Sequence, residues 1–140
     1  MRYHAEVTPR LKALVWILRP TPRGPEVLLL RRPERRGGGW HPVTGKGDKG
    51  EEVAVTAARE AFEETGLRGD LEDLGLRHAF AGNRREFEEH AYWLRVPASA
   101  EPRLSDEHVE HRWAAPDDAL AAVEWPTHRE ALALAIGRFR

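Results

Sequence analysis

Between Gly45 and Leu67 the chain reads GKGDKGEEVAVTAAREAFEETGL, and no other stretch restricts the fold so tightly. Glycines at 45, 47 and 50 offer a backbone free to take φ > 0 and to approach a ligand closely. Val53 to Thr65 is a run of good helix formers, and Gly66 suits a left-handed C-terminal cap. Within that helix, spacings of three and four predict Glu60, Glu63 and Glu64 on one face, with Cβ atoms roughly 5–6 Å apart. A glycine-rich loop feeding such carboxylates suits a hard cation, Mg²⁺ being the usual one.

The glutamates alone do not decide the matter. Two unit charges about 6 Å apart repel by roughly 2–3 kcal/mol at an effective dielectric near 20. On a solvated helix the cost is a few tenths of a kcal/mol, so a wet acidic face beside Arg59 and Arg68 is equally affordable. The whole string decides. It fits G-x5-E-x7-R-E-U-x-E-E-x-G-U, with U aliphatic, through Gly45, Glu51, Arg59, Glu60, Ala61, Glu63, Glu64, Gly66 and Leu67. This resembles the Nudix box, the signature of the Nudix (MutT-like) hydrolases. Two positions depart from the usual pattern: Ala61 replaces a larger aliphatic residue, and Gly47 stands where many members carry one.

The remainder of the chain is that of a globular protein. Its 140 residues suit one domain, expected to span 1–140 with the box at 45–67. A hydrophobic content of 41% and a net charge of −1 give no general attraction for nucleic acid or anionic membrane. No apolar run approaches the ~20 residues of a spanning helix, and MRYHAEVTPR lacks an apolar signal core. The absence of cysteine excludes disulfides and thiolate metal sites and is compatible with a cytoplasmic setting. Nineteen arginines against three lysines read as the codon bias of a GC-rich genome.

Residues 1–9 read as a polar lead-in. Leu11–Leu18 and Glu26–Arg32 read as strands of a hairpin, joined by the Pro- and Gly-rich 19–25 segment. Lys12, inside the first, is expected to be a solvated strand residue. Arginines 31, 32, 35 and 36 offer bidentate donors for phosphate, and Arg31, at a strand end, is the preferred one. Trp40 to Thr44 leads into the box, with Trp40 a packing residue. A Glu51–Arg59 contact is expected to hold the loop against the helix, and Val53, Ala54, Ala57, Ala58, Ala61 and Phe62 to form its buried side. Further strands are expected at 71–80 (broken near Gly75), 87–96 and 106–114. An acid-capped helix should start at Pro116 and another run from Thr127 to Arg138, turning Leu132, Leu134, Ala135 and Phe139 inward. The irregular alternation predicts an α/β (α+β) fold, a mixed sheet with helices on both faces. Neither repeats nor an interdomain linker are evident. Seven histidines raise the question of zinc, but His108 and His111 would face opposite sides of a strand.

The resemblance implies an α/β/α sandwich and a Mg²⁺-dependent hydrolase, Mn²⁺ being an alternative ion, that cleaves a pyrophosphate linkage by water attack at phosphorus. At the matching positions it implies Glu60, Glu63 and Glu64 as metal ligands, with the Thr44 carbonyl reaching the ion. A further carboxylate from outside the box would complete the set as ligand or general base. Glu107, Glu110, Glu88 and Glu89 are candidates, and Glu107 is preferred because it precedes a strand and an acid-capped helix. Glu63, Glu64 and Glu107 are thus the candidate catalytic residues; Arg31, Thr44, Gly45 and Lys46 the candidate substrate contacts; Glu51, Arg59 and Gly66 the structural ones. The flanking strings LLLRR, W-x-x-V-T-G and E-H-x-x-x-x-W look like the bacterial dihydroneopterin triphosphate / deoxyadenosine triphosphate pyrophosphohydrolase group. A nucleoside or pterin triphosphate, split to monophosphate and pyrophosphate, is therefore the leading substrate. Dinucleoside polyphosphates or nucleotide sugars such as ADP-ribose are the alternative, and a non-catalytic nucleotide sensor is a third. The partner expected is a small molecule, and the chain a monomer or homodimer.

Overall fold

The computed structural model describes residues 8–140, so most of the lead-in at 1–9 lies outside the described residues. The sheet is organised on its first strand, β1 (Arg10–Thr21). Its apolar run is buried on both faces, as a central strand requires. Leu14, Trp16 and Leu18 face one layer; Ala13, Val15 and Ile17 face the other. β2 (Gly24–Arg31) returns antiparallel from a turn in which Gly24 has φ 106°. After a 3-10 turn at Glu34–Arg36 come β3 (Trp40–His41), which pairs with β2, and β4 (Val43–Lys46), which pairs with the first half of β1.

Helix α1 (Val53–Thr65) is followed by β5 (Asp70–Ala81), β6 (Glu86–Arg95), β7 (Glu110–Ala114), α2 (Pro116–Ala122) and α3 (Pro126–Arg138). β6 runs parallel to β1 from Arg10↔Phe87 to Leu18↔Arg95, and β5 flanks it antiparallel. β7 pairs with β2. The sheet is mixed, with α1 on one face and α2 and α3 on the other. Trp16 is fully buried, and its indole N–H donates to the carbonyl of His128 at 2.9 Å, fastening α3 to β1. Burying each such large apolar side chain contributes on the order of 2 kcal/mol. No helix among the described residues is long and apolar enough to cross a membrane.

Several boundaries differ from the sequence reading. The lead into the box, to which no element was assigned, holds two short strands separated by Pro42, too brief to show a period. The last strand starts at Glu110 rather than Asp106. His108 therefore sits in a turn ahead of it, and His108 and His111 do not share a strand. On α1, Ala57 and Ala61 are buried, but Ala54, Ala58 and Phe62 lie outside. Their places are taken by Thr56, Glu64 and Thr65. The threonines are buried at little cost because Thr65 donates to the Ala61 carbonyl at 2.6 Å and Thr56 to Glu51 at 2.7 Å. Leu134 is 37% exposed, while Leu132 and Ala135 are fully buried and Phe139 packs at the rim. The break near Gly75 is a bulge between Asp73 and Arg77, where Gly75 takes φ 76° and its N–H is held by Asp73.

Candidate active site

The box begins in a strand, not in a loop. Gly45 belongs to β4, and of Gly45, Gly47 and Gly50 only Gly50 takes a positive φ, 79°. Gly45 matters for what it lacks. A Cβ there would collide with the Glu60 carboxyl group, so the bare backbone lets that side chain lie against β4. At Gly47 a Cβ would crowd the Thr56 hydroxyl at 3.0 Å, which accounts for glycine where a larger residue is usual.

α1 begins at Val53, two residues after Glu51, and closes at Gly66 with φ 72°, whose N–H donates to Phe62 at 2.7 Å. Beyond that cap, the unpaired carbonyls of the last turn capture a distant segment: Arg103 N–H donates to Thr65 and Ser105 N–H to Glu64. Ser105 Oγ in turn receives the Glu107 N–H. These bonds bring Glu107 to the helix. Carboxylate oxygens of Glu60, Glu64 and Glu107 all lie within 4.8 Å of one another. Among Glu107, Glu110, Glu88 and Glu89, only Glu107 joins that group; Glu88 pairs with His90 at 2.7 Å and Glu110 with Arg31 at 3.6 Å.

Glu63 lies apart from these three. It is 55% exposed on its side chain and accepts from Arg59 at 3.1 Å, because the helix turns it outward while Glu60 and Glu64 face the sheet. Arg59 Nε donates to Glu51 at 2.9 Å, and its other nitrogens reach Glu60 and the Lys46 carbonyl. One guanidinium thus ties loop, strand and helix together.

Glu64 is 1% exposed, and neither of its oxygens receives a hydrogen bond from a protein donor. Burial, then the negative charges of Glu107 and Glu60, push its carboxyl far above the ordinary range. Glu60 is raised mainly by burial. A buried carboxylate without a donor, facing two others, is the arrangement a divalent cation satisfies. The donor set fits such an ion.

A cavity of about 220 Å³ opens beside these carboxylates, lined by Arg32, Arg36, Thr44, Glu64, Glu107 and His108. Arg32 extends toward the Thr44 hydroxyl at 3.5 Å. Arg31 is not part of this lining: it is held between Glu34 and Glu110, both at 3.6 Å. The alternation that carries Arg31 to the far side brings its neighbour in. Lys46 is exposed, its ammonium 5.3 Å from the Phe87 ring centre. His108 was weighed in the sequence only with His111, as a zinc pair, and not as a residue of this cleft. It is buried, its Nδ1 lies 3.9 Å from Glu64, and burial followed by the Arg32, His41 and Arg36 charges pushes it down to about 4. A wider hollow of about 580 Å³ between β7 and α2 carries one carboxylate, Asp118, and cannot gather a cation in the same way.

Sequence and fold comparisons agree with this geometry. The model of the NUDIX domain family matches residues 8–135. The fold is similar to that of the E. coli dihydroneopterin triphosphate pyrophosphohydrolase, with TM-score 0.77, 23% identity, and 94% of this chain and 98% of that one covered. It is similar to a C. elegans Ap4A hydrolase as well, with TM-score 0.77, 20% identity and coverage of 91% and 96%. A Myxococcus xanthus octanoyltransferase is 44% identical over 114 residues, which are 77% of this chain and 32% of that protein. The chain thus spans about a third of the length of that relative. A mixed sheet between helices, with carboxylates of one helix gathered at a cleft that Arg32 and Arg36 also line, is the arrangement these comparisons place in one family. The chain belongs to the NUDIX domain family.

Proposed function

We propose that this domain hydrolyses a nucleoside triphosphate, or a related pterin triphosphate, to the monophosphate and pyrophosphate with Mg²⁺ as its ion. The observation that carries this reading is the convergence of Glu60, Glu64 and Glu107 at a cleft that Arg32 and Arg36 also line. Carboxylates and guanidiniums lining one cleft match a chain of phosphates bound with a cation. The flanking strings around LLLRR and W-x-x-V-T-G support a triphosphate over other substrates.

Glu60, Glu64 and Glu107 would hold the ion, with the Thr44 carbonyl as a further ligand. When bound, the ion neutralises phosphate oxygens and makes phosphorus more electrophilic. Arg32 and Arg36 orient the phosphate oxygens by charge-assisted hydrogen bonds and stabilise the charge that develops on the leaving pyrophosphate. Water attacks phosphorus as the anhydride P–O bond breaks, and its proton passes to the carboxylate of Glu64 or Glu107. Arg59 positions Glu60 and Glu63 without touching the reacting atoms. Acyl transfer is not ascribed to this domain.

Product analysis tests the reading. Nucleoside triphosphates, neopterin triphosphate, diadenosine polyphosphates and ADP-ribose are incubated with enzyme and Mg²⁺, and products are identified. Pyrophosphate from a triphosphate is the result expected. Turnover confined to diadenosine polyphosphates or ADP-ribose would replace the substrate class, and no turnover with tight binding would make the domain a sensor.

A further inference from the structure

Four adjacent strands carry one row of polar side chains on the α3 side of the sheet. Lys46 of β4 pairs with Lys12 of β1, Lys12 with Glu89 of β6, and Glu89 with His78 of β5. Residues paired across strands point to the same side, so these four stand in line. Thr44, two residues before Lys46 on the same side of β4, lines the catalytic cleft. The row therefore lies about 7 Å along the strand from the cleft wall. Phe80 and Phe87 flank it, stacked with ring centres 5.3 Å apart, and Phe80 is 41% exposed. The Lys12 ammonium lies 5.5 Å from the Phe80 ring centre.

Glu89 is the unusual member. It is 7% exposed, and among the described residues neither its carboxyl group nor the Lys12 ammonium makes a hydrogen bond or an ion pair. The charges of Lys12, His78 and Arg32 act on it through space only, and burial, the larger influence, raises its pKa. Neither side chain takes part in the chemistry at Glu60, Glu64 and Glu107.

We propose that Glu89 and Lys12 form the subsite for the non-phosphate end of the substrate, and that this subsite selects a heteroaromatic ring with a carbonyl, a ring N–H and an exocyclic amino group in succession along one edge. Guanine and pterins present that edge. The carboxylate accepts from the N–H and amino donors in the bidentate way such groups favour, while the ammonium donates to the carbonyl. Phe80 offers the ring an apolar face. Adenine and cytosine place an acceptor nitrogen where the edge needs a donor, which would leave it against the carboxylate. Uracil has a single N–H between two carbonyls. The inference rests on the nucleotide-type pyrophosphohydrolase reading, since it needs a ring attached to the bound phosphates.

The test compares kcat/KM for GTP, neopterin triphosphate, ATP and UTP with Mg²⁺, in the wild type, Glu89→Gln and Glu89→Ala. Calorimetric binding of GMP and AMP runs beside it, and thermal unfolding confirms that the variants fold. The wild type should prefer GTP or neopterin triphosphate over ATP by roughly tenfold or more, the discrimination a bidentate pair gives. Glu89→Gln should remove that preference by weakening the guanine and pterin substrates and not ATP, whose edge an amide can match. GTP ahead of neopterin triphosphate would identify the nucleotide as the source of the edge; the reverse order, the pterin. A wild type without base preference, or a preference unchanged in both variants, overturns the assignment. If no triphosphate is turned over, the proposed function falls separately. GMP bound above AMP and weakened in Glu89→Gln would then still uphold the subsite, and equal or absent GMP binding would overturn it.

Discussion

Arg59 grips Glu51 through two parallel hydrogen bonds, Nε to Oε2 at 2.9 Å and Nη2 to Oε1 at 3.0 Å. The same guanidinium reaches Glu63 and Glu60 at 3.1 and 3.4 Å. It holds Glu51 down to about 2, with help from the Asp48 N–H and the Thr56 hydroxyl. Lysine cannot reproduce this planar fork. Arg59→Lys and Arg59→Ala should each lower kcat by on the order of 10²-fold, the cost of displacing positioned groups by about 1 Å, while circular dichroism shows the fold retained. Steady-state kinetics that leave kcat unchanged would show that the grip serves stability alone.

The Glu64 carboxyl should reveal itself by pH. Its folded-state pKa is raised by burial, so the stability linked to it is fully present below the unfolded value near 4.5 and is lost as pH rises toward the folded value. Glu60 and Glu89 act in the same direction. Thermal unfolding of the metal-free protein should therefore give a Tm that falls between pH 5 and 8. Added Mg²⁺ or Mn²⁺ should restore it, by more at pH 8 than at pH 5. A Tm insensitive to both ion and pH would remove these carboxylates from the metal site.

Substituting Glu64 separates catalysis from folding. Glu64→Gln should cut kcat by about 10²–10⁴-fold, the range for losing a positioned acid–base or ligand group. Because the amide carries no charge to bury, the metal-free variant should unfold at a higher temperature than the wild type at pH 8, and the gap should close at pH 5. Scanning calorimetry at the two pH values checks this.

Two adjacent arginines make a paired control. Arg32 lines the cleft, while Arg31 is engaged by Glu34 and Glu110 outside it. Arg32→Ala should raise KM at least about tenfold through loss of a charge-assisted contact, and Arg31→Ala should leave KM within about twofold of wild type, as rim charges do. Reversed effects would place the phosphates on the other side of β2.

Gly45 gives the strictest geometric test. Gly45→Ala has no φ barrier but puts a methyl group where the Glu60 carboxyl lies. Metal affinity by isothermal calorimetry should drop by about 10–100-fold, as when a ligand's support is lost. An unchanged affinity would show that Glu60 binds the ion from another rotamer.

Much of this architecture could be read from the residues, and the misses have physical causes. Apolar runs bounded by turn residues revealed β1, β2, β5, β6 and α3 because each is long enough to stand out. They could not reveal β3 and β4, which together span Trp40 to Lys46 around a proline. The i, i+3, i+4 spacing grouped three glutamates, but only packing shows that Glu60 and Glu64 face the sheet while Glu63 turns to Arg59. Arg31 and Arg32 are neighbours in sequence on opposite sides of a strand end, so choosing between them needs the direction of the side chain. His108 was weighed only for zinc and Glu89 only as one of four candidate carboxylates, because their places come from burial produced by distant elements, which spacing does not show.

The parallel register of β1 with β6 bears on how the chain assembles. Leu14 aligns with Ala91 and Leu18 with Arg95, so the sheet's central strand finds its second neighbour only after the helix, β5 and the bulge have been made. A large part of the backbone must be constrained before that zipper closes, which favours late, all-at-once completion over growth from the amino end. An emerging polypeptide lacking residues 86–95 would present β1 with one bare edge, and on the ribosome that edge is where premature strand exchange between nascent chains would begin.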